Sequence, residues 1–293
     1  MSVVVVGDVG LDVVVRPSSP LVFGGDVPSE IFRAPGGAGA NSAAWVAAYH
    51  VPVALLGRVG ADAVGHEAYR LLENDGVCPV LAFDHSRPTC TVVVLVGRGG
   101  ERTMLSDRGA SGALAPNDVD LDAATAALGA EPRHLHVSGF VLLSETTRPA
   151  GVAALSEARR RGWSTSVDPQ AANLVDQMGG SAFLRLVEDV DLLLPNAIEL
   201  EALGGEVTAS AVGRELVVTD GAAGATWVSP AGRWHADAPT VACVDTTGCG
   251  DAFNAGLLAA WLAGQPPELA LRAGVAAGSS CATFVGARPR KPS

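Results

Sequence analysis

The sequence predicts an α/β fold in which helices cover both faces of a mainly parallel β-sheet. Apolar runs of three to five residues alternate along the 293-residue chain with alanine-rich or amphipathic segments. Such short apolar runs are typical of strands buried on both faces, and strands that alternate with helices favour parallel pairing. Hydrophobic residues make up 48% of the chain and charged residues 17%, which is enough apolar material for a large core. We therefore expect residues 1–293 to form a single domain.

Each element of this fold is predicted from its own part of the sequence. The predicted strands are residues 3–6, 53–56, 135–138, 164–167, 192–194 and 216–219. The predicted helices are residues 41–50, 65–74, 149–161, 251–263 and 267–281. Turn residues such as Gly7, Gly76 and Pro195 stand beside the boundaries, because glycine and proline interrupt regular structure.

Two segments interrupt the alternation of strands and helices. Residues 12–33 and 91–105 are typical of extended strands with turn residues between them, and Gly99 and Gly100 suit a hairpin turn. We expect these segments to form a small separate β-sheet. The alternative is that they are edge strands of the main sheet.

The charge pattern argues against nucleic acid or an anionic membrane as a partner. The chain has 20 lysine and arginine residues against 31 aspartate and glutamate residues, a formal net charge of −11, without a basic stripe. Lys291 is the only lysine, which disfavours a Walker-type loop, the protein-kinase lysine and Schiff-base chemistry. A bound phosphate would therefore be held by backbone N–H groups, arginine side chains and a metal ion.

The cysteine pattern favours a cytoplasmic protein. The five cysteines are odd in number and contain no C-x-x-C pair, as expected for reduced thiols. The apolar run Val3–Val6 is too short for the core of a signal peptide. No apolar stretch reaches membrane-spanning length without a helix breaker.

The most informative segment is residues 245–256, which read DTTGCGDAFNAG. Phe253, Gly256 and Leu257 begin the spacing of one helix face, so the Gly-Cys-Gly turn stands where a helix begins. A helix N-terminus offers unpaired N–H groups and partial positive charge, which bind phosphate where glycines let it approach. The same dipole predicts that Asp251, in the first turn, is ionised at neutral pH. The alternative is a carboxylate that only stabilises the helix.

A second glycine-rich turn, PGGAGAN at residues 35–41, opens the first predicted helix. It does not complete the G-x-G-x-x-G fingerprint of dinucleotide-binding proteins. Asn41 is a candidate ligand-binding residue, and the alternative is that its side chain only caps the helix.

Together the two turns resemble the two signatures of the ribokinase-like (PfkB) carbohydrate kinase family, and the resemblance runs from residue 3 to about 287. It implies a ribokinase-like fold in which segments 12–33 and 91–105 form a small β-sheet lid over the substrate site. The segment GERTM, residues 100–104, would lie on the returning strand of that lid. The resemblance also implies ATP and Mg²⁺ as cofactors and a homodimer formed through the lid.

The resemblance assigns a role to each matching residue. For catalysis it implies Asp251 as the general base and an anion hole at Gly248, Cys249 and Gly250. For the substrate it implies Asp12, Gly36, Gly37 and Asn41. For the nucleotide it implies Asn196, Thr219, Gly221, Gly224 and Ala277. For metals it implies Glu199, which would hold Mg²⁺ through water, and Asp245 and Thr247, where some members bind K⁺.

The implied activity is phosphorylation by ATP of a hydroxyl group on a sugar or sugar-like small molecule. Two alternatives share the fold: a nucleoside kinase, and a regulator that binds sugar or nucleotide without catalysis. A nicotinamide-dependent oxidoreductase is disfavoured because the dinucleotide fingerprint is missing. Three features depart from the family pattern: Cys249 replaces a more usual alanine, Gly10 replaces a polar residue of ribokinases, and the segment between Leu203 and Leu216 leaves little room for a helix.

Overall fold

The computed structural model describes residues 1–97, 102–210 and 215–290. In chain order the strands are β1 (Val3–Val6), β2 (Gly10–Pro17), β3 (Ser29–Gly36), β4 (Val53–Gly60), β5 (Cys78–Asp84), β6 (Cys90–Val96), β7 (Arg102–Asp107), β8 (His134–Ser138), β9 (Ser164–Asp168), β10 (Leu192–Leu193), β11 (Glu215–Thr219), β12 (Ala225–Ser229) and β13 (Gly232–Ala236). The helices are α1 (Ala38–Ala48), α2 (Ala63–Asn74), α3 (Leu121–Leu128), α4 (Gly139–Leu143), α5 (Arg148–Arg160), α6 (Ala172–Met178), α7 (Gly180–Leu186), α8 (Ala197–Ala202), α9 (Glu206–Ser210), α10 (Cys249–Leu262) and α11 (Pro267–Cys281).

The main sheet has nine strands in the order β13-β12-β11-β10-β9-β8-β1-β4-β5. Strands β1, β4, β5 and β8 to β11 are parallel, whereas β12 and β13 pair antiparallel at one edge. The strand order reverses at β1, with β4 on one side and β8 on the other. Ligands of open α/β sheets bind at the carboxyl ends of the strands beside such a reversal. The residues that follow β1 and its neighbouring strands are therefore expected to form the ligand-binding site.

Both faces of the main sheet are covered, as the sequence predicts. Val4 and Val6 of β1 belong to a core cluster covered by α3 to α7, and Val3 and Val5 belong to a cluster covered by α1, α2, α10 and α11. All four side chains are fully buried. A strand with two buried faces reads as a continuous apolar run, which explains the sequence VVVV.

The small sheet consists of β3, β2, β6 and β7 in that order and is separate from the main sheet. Strands β2 and β6 are parallel, and the other two pairs are antiparallel. The prediction of a separate sheet is confirmed, and the alternative that these segments are edge strands of the main sheet is wrong. The predicted turn at Gly99 and Gly100 and the start of the returning strand at Glu101 lie outside the described residues.

The expectation of little room for a helix between Leu203 and Leu216 is wrong. The short helix α9 forms there, and its Ala209 packs in the core against the main sheet. Five residues provide just over one helical turn, so a short segment is sufficient. Within the described ranges, no helix combines the length and the apolar character needed to cross a membrane.

Candidate active site

The Gly-Cys-Gly turn begins helix α10, as the spacing of the sequence predicts. Gly248 precedes the helix in a left-handed conformation with φ of 75°, and a Cβ atom there would lie 2.6 Å from the carbonyl oxygen of Ala287. A Cβ atom at Gly250 would meet no protein atom within 4 Å, so this side of the first turn is open. The Cys249 thiol faces the carbonyl oxygen of Asp245 at 3.9 Å. The first amides of α10 are therefore approachable, and the thiol lies against the preceding loop.

Asp251 lies in the first turn of α10 and is almost completely buried. Its carboxylate accepts hydrogen bonds from the Ser42 hydroxyl at 2.9 Å and from the Asn41 amide at 3.4 Å. Burial raises the pKa of Asp251 to about 7, although these two hydrogen bonds act in the opposite direction. The expectation that Asp251 is fully ionised at neutral pH is therefore corrected in part: burial is the largest cause of the shift and brings the pKa close to neutral.

Helix α1 begins earlier than the sequence predicts. Gly37 is its N-cap residue with φ of 93°, and a Cβ atom at Gly37 would lie 2.5 Å from the carbonyl oxygen of Asp8. Asn41 therefore lies inside the first turn, and the alternative that it only caps the helix is wrong. This placement presents Asn41 and the adjacent Ser42 to Asp251, more than 200 residues later in the chain.

Asp12 lies on β2 opposite Ala34 of β3, and its side chain reaches Gly36. A Cβ atom at Gly36 would overlap its carboxylate, so only glycine allows this approach. Burial raises the pKa of Asp12 to about 6, and the positive charge of Arg288 partly opposes that rise. The charge of Asp12 in turn raises the pKa of Asp251. The structure thus brings the predicted substrate residues Asp12, Gly36, Gly37 and Asn41 to the predicted base.

Asp168 and Gln170 are candidate residues that our sequence analysis missed. Asp168 ends β9, accepts a hydrogen bond from the Asn254 amide at 2.6 Å, and has a pKa raised well above its usual value by burial and by Glu199 and Asp251. Gln170 has φ of 71°, and its buried Nε2 is outside hydrogen-bond geometry but close enough to Asp251 to lower the pKa of that carboxyl. The position of Asp168 at the carboxyl end of a buried parallel strand was the signal that could have identified it.

Asn196 and Glu199 form a reciprocal capping box at the start of α8. The Asn196 side chain accepts the backbone N–H of Glu199, and the Glu199 side chain accepts the backbone N–H of Asn196, both at 2.9 Å. Glu199 is buried, which raises its pKa. The described residues contain no cluster of three His, Cys, Asp or Glu side chains for direct metal binding. Glu199 raises the pKa of the neighbouring Asp168, and two such carboxyl groups nevertheless fit a hydrated cation held through water.

The remaining predicted nucleotide residues lie in two places. Thr219 ends β11 and bridges to Asn196. In the turn that follows, Gly221 is exposed, whereas Gly224 is buried against Ala236 of β13. Ala277 is 1% exposed and packs against Gly256 between α10 and α11. The structure therefore groups the first set near α8, whereas the nucleotide contact of Ala277 stays a prediction.

The small sheet closes over this end of the main sheet. Between them lies a cavity of about 60 Å³, lined among others by Asp12, Phe32 and Arg102 on one side and by Asp245 and Gly286 on the other. Asp245 and Thr247, the predicted K⁺ residues, are brought together in the loop before α10, where Asp245 forms an ion pair with Arg102. Pockets for drug-sized ligands measure about 300–1,000 Å³, so the small sheet lies close against the main body.

The family model for pfkB family carbohydrate kinases matches residues 2–293. An ATP-dependent ribose-1-phosphate kinase of Halopiger xanaduensis is 32% identical over 86% of this chain and 82% of its own length. A fructokinase of Klebsiella pneumoniae is 34% identical over 84% of this chain and 83% of its own. A putative ribokinase II from E. coli, solved with ATP and Mg²⁺, superposes with a TM-score of 0.84 at 24% identity, covering 98% of this chain and 94% of that one.

A parallel sheet with a small covering sheet, a helix N-terminus open to anions and a buried carboxylate beside it define a phosphotransferase of the ribokinase-like fold. The chain belongs to the pfkB family of carbohydrate kinases. It is accordingly an ATP-dependent kinase that phosphorylates a sugar or a sugar-like small molecule.

Proposed function

We propose that Asp251 is the general base that accepts the proton of the attacking substrate hydroxyl. The observation that carries this proposal is a buried carboxylate in the first turn of a helix whose N-terminus is open, and the raised pKa of about 7 is consistent with it. A general base works best when its pKa lies near the operating pH, because it is then both available and sufficiently basic. A carboxylate with an ordinary pKa would be a much weaker base in this role.

The other predicted residues would bind and orient the reactants. Asp12 would accept hydrogen bonds from substrate hydroxyls, and the buried Oδ1 of Asn41, which has no partner among the described residues, would accept another. The amides of Gly248 to Asp251 would donate to the oxygens of the transferring phosphoryl group, where negative charge accumulates. Mg²⁺, when bound through water near Asn196 and Glu199, would neutralise phosphate charge.

The substrate is a hydroxyl compound of the sugar or nucleoside class. Relatives named as a fructokinase and a ribose-1-phosphate kinase support a sugar. An adenosine kinase from Sinorhizobium meliloti superposes with a TM-score of 0.85 at 24% identity, which supports only the common fold. A non-catalytic regulator is disfavoured because Asp251 stands at the position that the family resemblance gives to the base and accepts hydrogen bonds from Asn41 and Ser42.

We further propose a cytoplasmic homodimer formed through the small sheet, in a chain that is one kinase domain over residues 1–293. The register of the four strands places apolar side chains together on the face of that sheet turned away from the cavity. These side chains are Val13, Val15, Ile31, Val93, Leu95 and Leu105. Ile31 and Leu105 are 62% and 56% exposed, and a contiguous apolar patch of this kind is typical of a protein interface. Sedimentation of the wild type and of Ile31→Lys checks this, since a monomeric wild type contradicts it.

The decisive experiment is an assay of ADP production with Mg²⁺ and a panel of free sugars, sugar phosphates and nucleosides. We expect saturable ADP formation with one class and a phosphorylated product identified by mass spectrometry. Excess EDTA should abolish turnover. Binding of a sugar or nucleotide without ADP formation on any compound would instead favour the non-catalytic regulator.

A further inference from the structure

The loop that precedes α10 is paired with a positively charged side chain from the small sheet. Arg102, the first residue of β7, forms an ion pair with Asp245, and the two side chains are only 16% and 10% exposed. The pair joins the small sheet to the main body across the cavity that both residues line. Asp245 is one of the two residues at which the family resemblance implies K⁺. The guanidinium therefore lies where the charge of that ion would act.

Four oxygen atoms of Asp245 and Thr247 already face hydrogen-bond donors. The backbone N–H groups of Thr247 and Gly286 donate to Oδ1 and Oδ2 of Asp245 at 2.7 and 3.0 Å. The Cys281 thiol donates to the carbonyl oxygen of Thr247 at 3.4 Å, and the Cys249 thiol faces that of Asp245 at 3.9 Å. A K⁺ ion needs several carbonyl or carboxylate oxygens in place of its water shell. These oxygens do not fit that requirement, because each faces an N–H, a thiol or a guanidinium.

The charge balance of the loop leads to the same conclusion. The single carboxylate of Asp245 is matched by the single guanidinium of Arg102, and both side chains are largely buried. A K⁺ ion added here would share one carboxylate with another cation, and like charges repel more strongly away from bulk water.

We propose that the Arg102 guanidinium takes the place of a monovalent cation in this enzyme, so that turnover does not depend on K⁺. This inference rests on the proposed kinase function. Arg102 is a positioning residue, because it acts through Asp245 on Thr247 and Gly248, which lead directly into the first amides of α10. Since Arg102 belongs to the small sheet, its charge reaches Asp245 only when that sheet covers the cavity. Closure of the sheet and ordering of the anion-binding turn are thereby coupled.

The wild-type enzyme provides the first test. Initial rates are measured at saturating ATP in the chlorides of K⁺, Na⁺, Cs⁺ and tetramethylammonium at one ionic strength, so that screening is the same in all four. We expect rates that agree within about twofold, since only general screening remains. A rate in K⁺ that exceeds the others several-fold overturns the proposal without the need for any variant.

Replacement of Arg102 provides the second test. Arg102→Met keeps the length of the side chain and removes its charge, which leaves Asp245 buried and unpaired. We expect turnover to fall by about 10–100-fold, as is typical when one partner of a buried ion pair is removed. We also expect K⁺ or added guanidinium ion to restore part of the loss. A normal rate, or a loss of rate that no cation relieves, means that the ion pair is only structural. Either result overturns the proposal that Arg102 takes the place of a monovalent cation.

Arg16→Met is the matched control. Arg16 lines the same cavity from the same small sheet, but it pairs with Glu30 of β3 at 3.6 Å and not with the loop before α10. This variant should not acquire a response to K⁺ or guanidinium. A cation response equal to that of Arg102→Met would show that any lost charge in the cavity suffices, which contradicts a specific role for Arg102.

Thermal unfolding provides a readout that does not depend on activity. The Tm of the wild type should be equal in KCl and NaCl. The Tm of Arg102→Met should be lower than that of the wild type in both salts, and it should be higher in KCl than in NaCl. If no substrate of the sugar and nucleoside panel is phosphorylated, the proposed function fails, but these Tm values still decide the inference. A wild-type Tm that rises specifically with K⁺ contradicts it.

Discussion

Asp245 in the loop before α10 and Asp251 in the first turn of α10 have opposite electrostatic environments. Asp251, on the side of the main sheet, has a pKa raised to about 7 because burial outweighs its two side-chain hydrogen bonds. Asp245, under the small sheet, has a lowered pKa because backbone amides and Arg102 outweigh burial. The contrast indicates which carboxyl groups are left for a ligand to contact. The charge of Asp245 is balanced by Arg102 within the protein, whereas Asp251 and Asp168 have no such cationic partner among the described residues.

The largest effect on turnover is expected from substitution of Asp251. Asp251→Asn keeps the shape of the side chain and removes the base, so kcat should fall by about 10²–10⁴-fold. ATP affinity should change little, because the amides of the anion-binding turn stay in place. Steady-state kinetics and calorimetric titration with ATP measure the two quantities. A variant with near-wild-type kcat on its best substrate would mean that another group is the base.

Asp245→Asn is the matched control and should behave differently. It leaves the Arg102 guanidinium without its ionic partner, so we expect a lower Tm at all pH values where Asp245 is ionised.

The wild-type carboxyl of Asp251 favours the protonated form in the folded state, which makes folding less favourable as the pH rises from 3.8 to about 7. The Tm of Asp251→Asn should therefore rise relative to wild type over that range. Equal Tm shifts in Asp245→Asn and Asp251→Asn would contradict the opposite electrostatic environments of the two carboxyl groups.

The next effect concerns the open side of the turn. Gly250→Ala adds a methyl group that meets no protein atom within 4 Å, and alanine is favoured over glycine in a helix, so Tm should not fall. If the phosphates of ATP approach here, the methyl group would weaken ATP binding by about tenfold or more. Gly248→Ala is the control, because its φ of 75° and the nearby Ala287 carbonyl should make it lower Tm. Unchanged ATP affinity in Gly250→Ala would exclude this turn as the phosphate site.

Part of this arrangement is readable from the sequence because it is local. Helix α11 has its predicted bounds, since Pro267 stands in the first turn and the apolar periodicity continues to Cys281. The position of Asp251 in the first turn of α10 follows from the spacing after the Gly-Cys-Gly turn. The start of α1 was predicted three residues too late, because the positive φ of Gly37 allows the chain to enter the helix immediately.

The rest depends on contacts between distant parts of the chain, which no local pattern encodes. The pKa of Asp251 is set by burial against α1, 209 residues away at Ser42, and the ion pair of Arg102 with Asp245 spans 143 residues. Asp168 escaped prediction for the same reason, since its raised pKa comes from burial in the folded chain and from carboxylates on other elements. The edge hairpin of β12 and β13 was also missed, because its short alternating strands resemble a surface loop.

A smaller effect concerns the hydrogen bond that Ser42 donates to Asp251. Ser42→Ala removes a donor that lowers the pKa of the carboxyl, so that pKa should rise further. Because the base must be deprotonated, the acid limb of the kcat/KM profile should move to higher pH, and the rate at pH 7 should fall by about 2–10-fold. Rates well above the new pKa should recover. An unshifted acid limb would mean that Asp251 does not control the profile.

The smallest effect is expected at Cys249, although it lies in the middle of the anion-binding turn. Its thiol faces the carbonyl oxygen of Asp245 and the Cys281 side chain, so the residue would contribute to phosphate binding only through its backbone N–H. Cys249→Ala keeps that N–H, and kcat and the KM for ATP should stay within about twofold of wild type. The loss of thiol packing should lower Tm slightly. Together with Gly250→Ala, this variant separates backbone from side chain in one turn: a large loss of turnover in Cys249→Ala would place the thiol itself in the reaction, and the assignment of the anion hole to amides alone would be wrong.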